Sequence, residues 1–551
     1  MIMSKVLKKT AIAITGLALV TSLAGCTSST SSTSGKDDAA KYKLPKAKIT
    51  VDANTPSWQK DKSKASLNWF FGWDWFAPGQ LDTPVEKYIS EDTGVTITYK
   101  SGGDDKLNSL IASGTLPDII TVDGGSPLVK DLDKIAIPLD ILAKKYDPYF
   151  LEHAADPSIV KFYSAADGHL YKYPNFAYTK ADYQAKDGLY GNGAFVVRKD
   201  LYEKIGSPDM STPQGFLAAL EAVKKLNEKD GNGKAVIPFG IGTIGSDSVG
   251  TDAWLADFLG IPNVKNGKLY DRFNDPEFIK WMKVLSQANR EGLLDPDATT
   301  QTDAAPKISN GTYFAYASAN LNGDSYLFPA WASSNPSAAY EAIDGPSSKD
   351  GSQSVALSGG SITGWTRTYI SKTSKNPEKA MQLITYLVSE EGQATNYFGR
   401  EGTDYTMVNG KAVYNQAIQD IKNNHPDQMD AKYGFGKNFA LENGSYLSKL
   451  AGIDQYPTAN QQIYDWTVPY LSDTQSVTTD MDANLTPKDS RNKQKINTNW
   501  AQTFVKILKA KSDAEVDQEF ASFKQFRDAN GYADIVKARN EIIAKNVKKL
   551  N

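Results

Sequence analysis

The sequence predicts an α/β fold built as two lobes. With 551 residues, of which 40% are hydrophobic and 11% aromatic, the chain can bury a large core and is not a disordered protein. Strand-like apolar runs alternate with amphipathic helices, which favours a mainly parallel sheet covered by helices on both faces. Residues 171–193 are rich in Tyr, Gly and Pro without any period, which indicates a crossing between the two lobes.

The first predicted lobe begins with an apolar run at 66–71 that is broken by Gly72. Helix, strand, helix and strand then follow at about 83–93, 95–99, 106–112 and 116–122. Ligands of open parallel sheets bind at the carboxyl ends of the strands. We therefore expect the loops 72–76 and 123–126, which follow the first and third strands, to face one crevice.

The rest of the chain continues this alternation and ends in helices. The predicted elements are a strand at 194–198, helices at 211–226 and 276–290, a strand at 313–317, a strand at 361–371, a helix that begins at the cap Asn376, and amphipathic helices from about residue 497. A second crossing between the lobes is predicted at Ser318-Ala319-Asn320.

The N-terminus has the three-part form of a secretory signal. A region with three lysines precedes an apolar stretch at 11–20 that is too short to span a bilayer. The following LAGC at 23–26 resembles the lipobox of bacterial lipoproteins, in which the cysteine is acylated and becomes the first mature residue. Residues 1–25 are therefore predicted to be a lipoprotein signal peptide, Cys26 the lipidation site, and 26–45 a flexible Ser/Thr-rich tether. The alternative is an ordinary buried cysteine in a helix.

Charge and residue counts exclude several classes of function. The 61 basic and 64 acidic side chains give a net charge of −3, which offers no electrostatic basis for binding nucleic acid. A single cysteine excludes an intrachain disulfide and a Cys-rich zinc site. After the signal, no run of 18 apolar residues follows, so the remainder is expected to be soluble.

Six short sequence motifs, taken in their order along the chain, resemble those of a known protein family. They are LPDII at 116–120, VRKDL at 197–201, EGLLDPD at 291–297, ISNG at 308–311, NPEKA at 376–380 and REGTDY at 400–405. Together they resemble the extracellular solute-binding proteins of ABC importers, in carbohydrate-binding family 1, and especially the large lipoprotein receptors of Gram-positive bacteria. The resemblance implies a two-lobe, periplasmic-binding-protein-like α/β fold with hinge crossings and a central ligand cleft.

The same resemblance implies a function. We expect a lipid-anchored receptor on the outer face of the cell membrane, which binds an oligosaccharide or related small polar solute and delivers it to an ABC permease. The expected receptor is a monomer without enzymatic activity or cofactor, held at the membrane by the lipid on Cys26. The expected division assigns 46–185 and 318–365 to lobe 1, and 186–317 and 366–551 to lobe 2.

Sugars present apolar C–H faces ringed by hydroxyls, so their receptors need aromatic platforms and planar polar side chains. The segment 69–76 offers six aromatic residues and one aspartate, although Trp69 and Phe70 inside the strand are expected in the core. The candidate ligand-binding residues are Trp73, Asp74, Trp75, Asp123, Ser318, Asn320 and Trp365. Weaker candidates are Trp254, Trp331 and Trp466. Isolated tryptophans of this kind are more often partly buried core than platform.

Two further groups have structural alternatives. Arg198 in VVRKDL is expected to pair with Asp200 and not to clamp a ligand. The run 227–234 resembles a calcium loop, in which Asp230 and Asn232 are the candidate metal ligands for a structural calcium. Because it lacks a full set of acidic residues, the alternative is a solvated DG/NG turn.

Two other functions compete with the receptor. An anchored glycoside hydrolase would also have aromatic residues and carboxylates in a cleft, and its catalysis needs a matched carboxylate pair. The chain has no Gly-x-Ser-x-Gly elbow and no metal-ligand cluster in its sequence. A surface adhesion lipoprotein is the second alternative, and it would bind no sugar.

Overall fold

The computed structural model of the protein describes residues 40–76, 82–242, 250–300, 303–348, 354–425, 428–452 and 457–551. The predicted signal peptide, Cys26 and most of the predicted tether lie outside these residues. The chain divides into two compact units, Met1–Leu44 and Pro45–Asn551, and both lobes belong to the second unit. Within the described ranges, no helix combines the length and the apolar character that a membrane crossing requires.

The elements follow one another along the chain as strands, α-helices and short turns of other helices. The strands are β1 (Ala65–Phe71), β2 (Val95–Ser101), β3 (Ile119–Asp123), β4 (Ala136–Ile137), β5 (Ala194–Arg198), β6 (Ile237–Ile241), β7 (Val264–Lys265), β8 (Lys268–Leu269), β9 (Tyr313–Ser318), β10 (Tyr340–Ala342), β11 (Thr366–Ser371), β12 (Tyr405–Val408) and β13 (Lys411–Tyr414). The α-helices are α1 (Ser57–Lys60), α2 (Pro84–Thr93), α3 (Asp104–Ser113), α4 (Val129–Ile135), α5 (Leu139–Tyr146), α6 (Pro157–Tyr163), α7 (Lys180–Ala185), α8 (Lys199–Lys204), α9 (Pro213–Leu226), α10 (Thr251–Phe258), α11 (Pro276–Arg290), α12 (Ala305–Ser309), α13 (Leu321–Asp324), α14 (Leu327–Ala332), α15 (Pro377–Val388), α16 (Glu390–Phe398), α17 (Gln416–Asn424), α18 (Gln428–Tyr433), α19 (Gly444–Ala451), α20 (Thr458–Thr467), α21 (Pro487–Leu508), α22 (Asp513–Ala529) and α23 (Tyr532–Leu550). A π-helical turn lies at Phe150–Ala154, and 3₁₀ turns lie at Arg272–Asn274, Pro336–Ala338, Phe439–Leu441, Val468–Tyr470 and Ser476–Thr478.

Lobe 1 is built on a sheet with the strand order β2-β1-β3-β11-β4. β1 pairs in parallel with β2 and β3, whereas β11 runs antiparallel to β3 and β4. Trp69 and Phe70 of β1 are fully buried, which confirms that they are core residues. Because β1 and β3 are parallel neighbours, the loops that follow them leave the same edge of the sheet, as predicted.

Lobe 2 is built on a sheet with the order β10-β5-β9-β6. Here β6 pairs in parallel with β9, whereas β5 is antiparallel to both of its neighbours, so that β10, β9 and β6 run in one direction. Large aromatic side chains fill the core beside this sheet, among them Phe216, Trp281 and Trp500. Helices α9, α11 and α21 contribute these three rings.

Each sheet contains one strand that runs against all the others, β11 in lobe 1 and β5 in lobe 2, so the prediction of a mainly parallel sheet is confirmed apart from these two strands. The antiparallel strands β5 and β11 follow non-helical crossing segments at their N-terminal ends. A parallel neighbour needs a long crossover connection, usually a helix, whereas a strand that enters from the other lobe is free to run in either direction.

Three segments pair with one another where the lobes meet. We call them the junction segments: 190–193, 356–361 and 468–472. The Asn192 N–H donates to Ser358 O at 2.9 Å, and the Leu357 N–H donates to Tyr470 O at 2.9 Å. Ser472 returns a bond from its N–H to Leu357 O at 2.9 Å. The first junction segment lies within the crossing that was predicted at 171–193.

Strand pairing corrects the expected division of the chain in two places. After β9 the chain does not cross at Ser318-Ala319-Asn320, because β10 further along pairs with β5 in lobe 2. Conversely, β11 pairs with β3 in lobe 1, although 366–551 were assigned to lobe 2. In both cases the deciding partner is a strand far away in sequence, which local periodicity does not identify.

A buried carboxyl in lobe 2 gives a testable pH dependence. Asp252 is 1% exposed, and only its Oδ2 has a partner in the described structure, the Trp500 indole N–H at 2.8 Å. Burial raises the pKa of Asp252 to about 7, so that between about pH 4 and 7 the native state binds more protons than the unfolded state. The free energy of unfolding therefore falls with rising pH in this window, by at most about 1.4 kcal/mol per pH unit from this group.

We expect Asp252→Asn to reduce this decrease in the free energy of unfolding, because the amide stays neutral between about pH 4 and 7. Urea denaturation at pH 4, 5.5 and 7 measures the difference between the variant and the parent protein. Asp187→Asn, which alters an exposed loop carboxylate, is the control and should leave the slope unchanged. If the free energy of unfolding changes with pH in the same way for Asp252→Asn and the parent protein, Asp252 is ionised in the native state.

Candidate functional site

Four aromatic side chains meet at one edge of lobe 1, and we call them the aromatic platform. Trp73 and Trp75 lie on the loop after β1, Trp365 precedes β11, and Phe439 begins a 3₁₀ turn. The ring centroid of Trp73 lies 5.1 Å from that of Trp365 and 5.8 Å from that of Trp75. Trp365 and Phe439 stack almost in parallel, with centroids 5.4 Å apart. Since Trp75 is 66% exposed and Trp365 is 37% exposed, the platform offers aromatic surface to solvent.

Buried neighbours hold the platform in place. Phe71 and Phe76 are buried and lie 5.6 and 5.2 Å from the Phe439 ring, so they support it from the core. The buried side chain of Asn175 donates from Nδ2 to Phe439 O at 2.9 Å and accepts the Thr366 N–H on Oδ1 at 3.0 Å. One carboxamide thus ties the segment before α7 to both the start of β11 and the Phe439 turn.

Two predicted carboxylates lie on the loops at this edge. Asp74 accepts the Gly103 N–H on Oδ1 at 3.2 Å, at the start of α3. Asp123, the last residue of β3, accepts the Gly125 N–H on Oδ1 at 2.7 Å. Both side chains are exposed, and within the described structure neither Oδ2 has a hydrogen-bond partner. Each carboxylate therefore retains an oxygen that can accept a hydroxyl.

A buried arginine supports the Asp123 loop from behind. A Cβ on Gly124 would come within 2.7 Å of Arg367 Cζ, so glycine is needed for this close approach. Arg367 Nη1 donates to Thr363 O at 2.8 Å and to Thr366 O at 2.9 Å. With 2% exposure, the guanidinium shapes the loop and does not reach the solvent-facing side of the site.

The predicted residues of the second crossing lie in lobe 2, at the end of β9. Ser318 is buried and donates its Oγ to Asp324 Oδ2 at 2.7 Å, so it positions that carboxylate and has no free face for a ligand. Burial raises the pKa of Asp324, even though hydrogen bonds from Ser318 and Tyr316 act to lower it. Asn320 is exposed, and its Oδ1 caps α13 by accepting the Gly323 N–H at 3.3 Å.

Two further asparagines, which were not predicted, complete a polar edge on lobe 2. Asn192 Nδ2 donates to Asn320 Oδ1 at 3.4 Å, and the Asn322 N–H donates to Asn192 Oδ1 at 2.9 Å. We call Asn192, Asn320 and Asn322 the carboxamide cluster. Tyr326, which is 59% exposed, follows on the same segment. Because Asn192 belongs to a junction segment, the cluster lies where lobe 2 meets the junction.

The weaker tryptophan candidates belong to the structure of lobe 2. Trp254 and Trp331 are buried, and their indole N–H groups donate to backbone carbonyls. Trp466 is half-buried and packs against the lobe 2 core. Arg198 forms a bidentate pair with Asp200, with N–O distances of 3.1 and 2.7 Å, which confirms the predicted pairing.

The candidate calcium loop is folded as a turn. Asp230 Oδ1 accepts the N–H groups of Asn232 and Lys234 at 2.9 and 2.8 Å, while Oδ2 accepts the Thr312 hydroxyl at 2.8 Å. Protein donors therefore occupy both oxygens of the only buried carboxylate in the loop. In the part of the chain that the structure describes, no three His, Cys, Asp or Glu side chains are grouped to hold a metal. These bonds match the alternative of a DG/NG turn, and the assignment of Asp230 and Asn232 as calcium ligands stays a prediction.

Comparison with known proteins agrees with this architecture. Residues 78–394 match the sequence profile of the family described as bacterial extracellular solute-binding protein. The chain is 25% identical over 420 residues to the fructooligosaccharide ABC transporter substrate-binding protein FusA of Streptococcus pneumoniae serotype 4 (strain TIGR4), an alignment that covers 71% of this chain and 74% of FusA. It is 26% identical over 299 residues to lipoprotein LipO of Bacillus subtilis (strain 168), which covers 51% of this chain and 50% of LipO.

The fold has solved counterparts. The structure of S. pneumoniae FusA in complex with kestose superimposes with a TM-score of 0.65 at 20% identity, covering 87% of this chain and 99% of that one. This likeness supports the predicted two-lobe α/β fold of solute-binding proteins. Since the family profile spans more than half of the chain, the protein belongs to the bacterial extracellular solute-binding protein family.

Proposed function

We propose that this protein is the extracellular receptor of an ABC importer and that it binds an oligosaccharide between its lobes. Its family supports a solute-binding role, and a relative over most of the chain is named for a fructooligosaccharide. The observation that carries the proposal is the aromatic platform, whose partly exposed rings adjoin two exposed carboxylates. Sugar rings stack their C–H faces on such surfaces, while carboxylates accept their hydroxyls.

We place the ligand between the aromatic platform and the carboxamide cluster. Both groups adjoin the segments that connect the lobes, because Trp365 directly precedes β11 and Asn192 closely precedes β5. Carboxamides both donate and accept, so they suit the hydroxyl pairs of a sugar. The proposed ligand-binding residues are Trp73, Asp74, Trp75, Asp123, Asn192, Asn320, Asn322, Trp365 and Phe439. Ser318 acts indirectly in this arrangement, through Asp324.

Binding closes the lobes by a two-state hinge motion in this proposal. The open form exposes both walls of the cleft, and a solute that contacts both lobes favours the closed form through its differential affinity. The paired junction segments supply the connection about which the lobes move. No covalent step is required, so the protein acts as a receptor and not as a glycoside hydrolase or an adhesin.

We further propose that the receptor is a monomer held on the outer face of the cell membrane by a lipid on Cys26, and that it delivers its sugar to an ABC permease. The LAGC sequence at 23–26 and a relative named as a lipoprotein support the anchor. We assign 45–185 and 362–452 to lobe 1, and 194–342 and 457–551 to lobe 2. The sheet pairing of β10 and β11 supports these boundaries.

A thermal-shift screen tests the proposal. Purified protein without its first 26 residues is heated with a panel of neutral and acidic oligosaccharides of two to six units. A ligand at a hundredfold excess over its Kd should stabilise the native state by about 2.7 kcal/mol and raise the melting temperature. Chromatography of the same mixtures should recover each sugar unchanged. A panel without any shift, or hydrolysis of a bound sugar, would overturn the proposed receptor function.

A further inference from the structure

We infer that the site selects uncharged glycans and rejects glycans that carry carboxylate or sulfate groups. This inference rests on the proposed function and assigns the charge class of its ligand. It follows from the charges that surround the aromatic platform, since the rings themselves stack on neutral and acidic sugars alike.

Three carboxylates border the platform on the lobe 1 side. Asp74 and Asp123 are exposed, and each keeps one oxygen free of protein donors in the described structure. Asp104, the first residue of α3, accepts the Ser126 hydroxyl on Oδ1 at 2.9 Å and so joins the two loops. Among the described residues, none of the three carboxylates lies within 4 Å of a Lys, Arg or His nitrogen.

Arg367 and Lys106 touch these loops, and both donate to backbone carbonyl oxygens. Arg367 lies behind Gly124 with 2% exposure, and its Nη2 also lies 3.5 Å from Asp480 Oδ1. Lys106 packs its stem on Gly102 and donates from Nζ to Ser101 O at 2.6 Å. Neither cation forms an ion pair with one of the three border carboxylates. Because the Arg367 guanidinium is buried, it is not available to form a bidentate pair with the carboxylate of an acidic sugar. Arginine is the side chain that recognises planar anions best, so a receptor for uronic acids would be expected to expose one.

The opposite wall adds no positive charge from the residues that line it. The carboxamide cluster is neutral, and its ionisable neighbours in the described structure are Asp324, which accepts from Ser318 and Tyr316, and Tyr464, whose hydroxyl donates to Asn322. Carboxamides bind hydroxyls without discriminating for charge. A carboxylate on the ligand would therefore approach the three acids of the border without a compensating partner, which is unfavourable in a partly desolvated cleft.

Matched pairs of sugars test the inference. Each neutral oligosaccharide of the panel is compared with its C6-oxidised form, and tetragalacturonate and tetramannuronate are compared with their carboxyl-reduced products. Titration calorimetry in about 20 mM NaCl should give a Kd at least tenfold lower for the neutral member of the pair that binds. The difference in Kd between the neutral and the acidic sugar should become smaller in about 500 mM NaCl, because salt screens exposed charges.

Variants locate the source of the selectivity. Asp74→Asn combined with Asp123→Asn keeps the carbonyl oxygens that accept the Gly103 and Gly125 amides while it removes both charges. The double variant should reduce the difference in Kd between the neutral and the acidic sugar. Asp187→Asn, which removes an exposed carboxylate outside the border, should leave this difference unchanged. If the double variant shows the same difference in Kd between the two sugars as the parent protein, the inference is wrong.

The outcomes separate the two proposals. If an acidic sugar raises the melting temperature and binds more tightly than its neutral partner, the charge selection is wrong while the receptor function stands. If no member of any pair shifts the melting temperature, the receptor function fails and the charge selection fails with it.

Discussion

Trp73→Ala is expected to weaken sugar binding by about 1–3 kcal/mol, or roughly 5- to 150-fold in Kd. Trp73 is the central ring of the platform, since its centroid lies within 6.0 Å of those of Trp75, Trp365 and Phe439. Its removal takes away a stacking surface and also leaves the Trp365 ring with Phe439 as its one remaining platform neighbour. The loss should therefore exceed that of Trp75→Ala, which removes the outermost ring.

Titration calorimetry with the sugar that gives the largest thermal shift measures this effect. Met407→Ala is the matched control, because it removes another exposed apolar side chain, on the hairpin of β12 and β13. Trp73→Phe should retain part of the affinity, since a smaller aromatic face remains. If Trp73→Ala binds as tightly as the parent protein and melts at the same temperature, Trp73 does not contact the ligand.

Lys379→Met is expected to lower the free energy of unfolding by about 3–5 kcal/mol. Lys379 on α15 is fully buried, and its Nζ lies 3.2 Å from Asp61 Oδ2. The same ammonium donates to Asp61 O at 2.6 Å and to Thr93 O at 3.0 Å. Methionine matches the length of the stem but leaves the buried Asp61 carboxylate without its cation, and two carbonyls lose their donor.

The change in the free energy of unfolding is measured by urea denaturation at pH 7, with tryptophan fluorescence as the signal. Lys375→Met, at an exposed position just before α15, is the control and should change stability by less than about 0.5 kcal/mol. Adding Asp61→Asn to Lys379→Met should recover part of the loss, because the unpaired charge is then gone. Equal effects of Lys379→Met and Lys375→Met would mean that the ion pair contributes nothing to the native state.

The lobe 1 half of the site could be predicted because its signal is local. Trp73, Asp74 and Trp75 lie together in sequence, and strand alternation indicates that their loop and the Asp123 loop leave one edge. Trp365 was identified as a tryptophan in a strand that glycine interrupts. Its contact with Trp73 depends on β11 pairing with β3, which local periodicity does not reveal.

The residues that were missed lack any such local pattern. Phe439 lies in a short 3₁₀ turn, and its place in the platform is set by the buried Asn175 from a distant segment. Asn192 and Asn322 are ordinary loop asparagines in sequence, and only their mutual hydrogen bond marks them as a cluster. Ser318 was predicted as a ligand contact because it lies at the predicted second crossing, but it is buried and its hydroxyl donates to Asp324.

The pairing of β3 with β11 also sets the order in which this protein can assemble. Thr121 and Thr368, whose hydroxyls are 2.9 Å apart across these strands, are separated by 247 positions in the chain. During synthesis or export the first sheet therefore keeps an unpaired edge until residues 194–342, the first part of lobe 2, have emerged. Because contacts between residues so distant in sequence slow folding, we expect this protein to fold slowly. We also expect that no single division of the chain yields two fragments that fold independently when expressed separately.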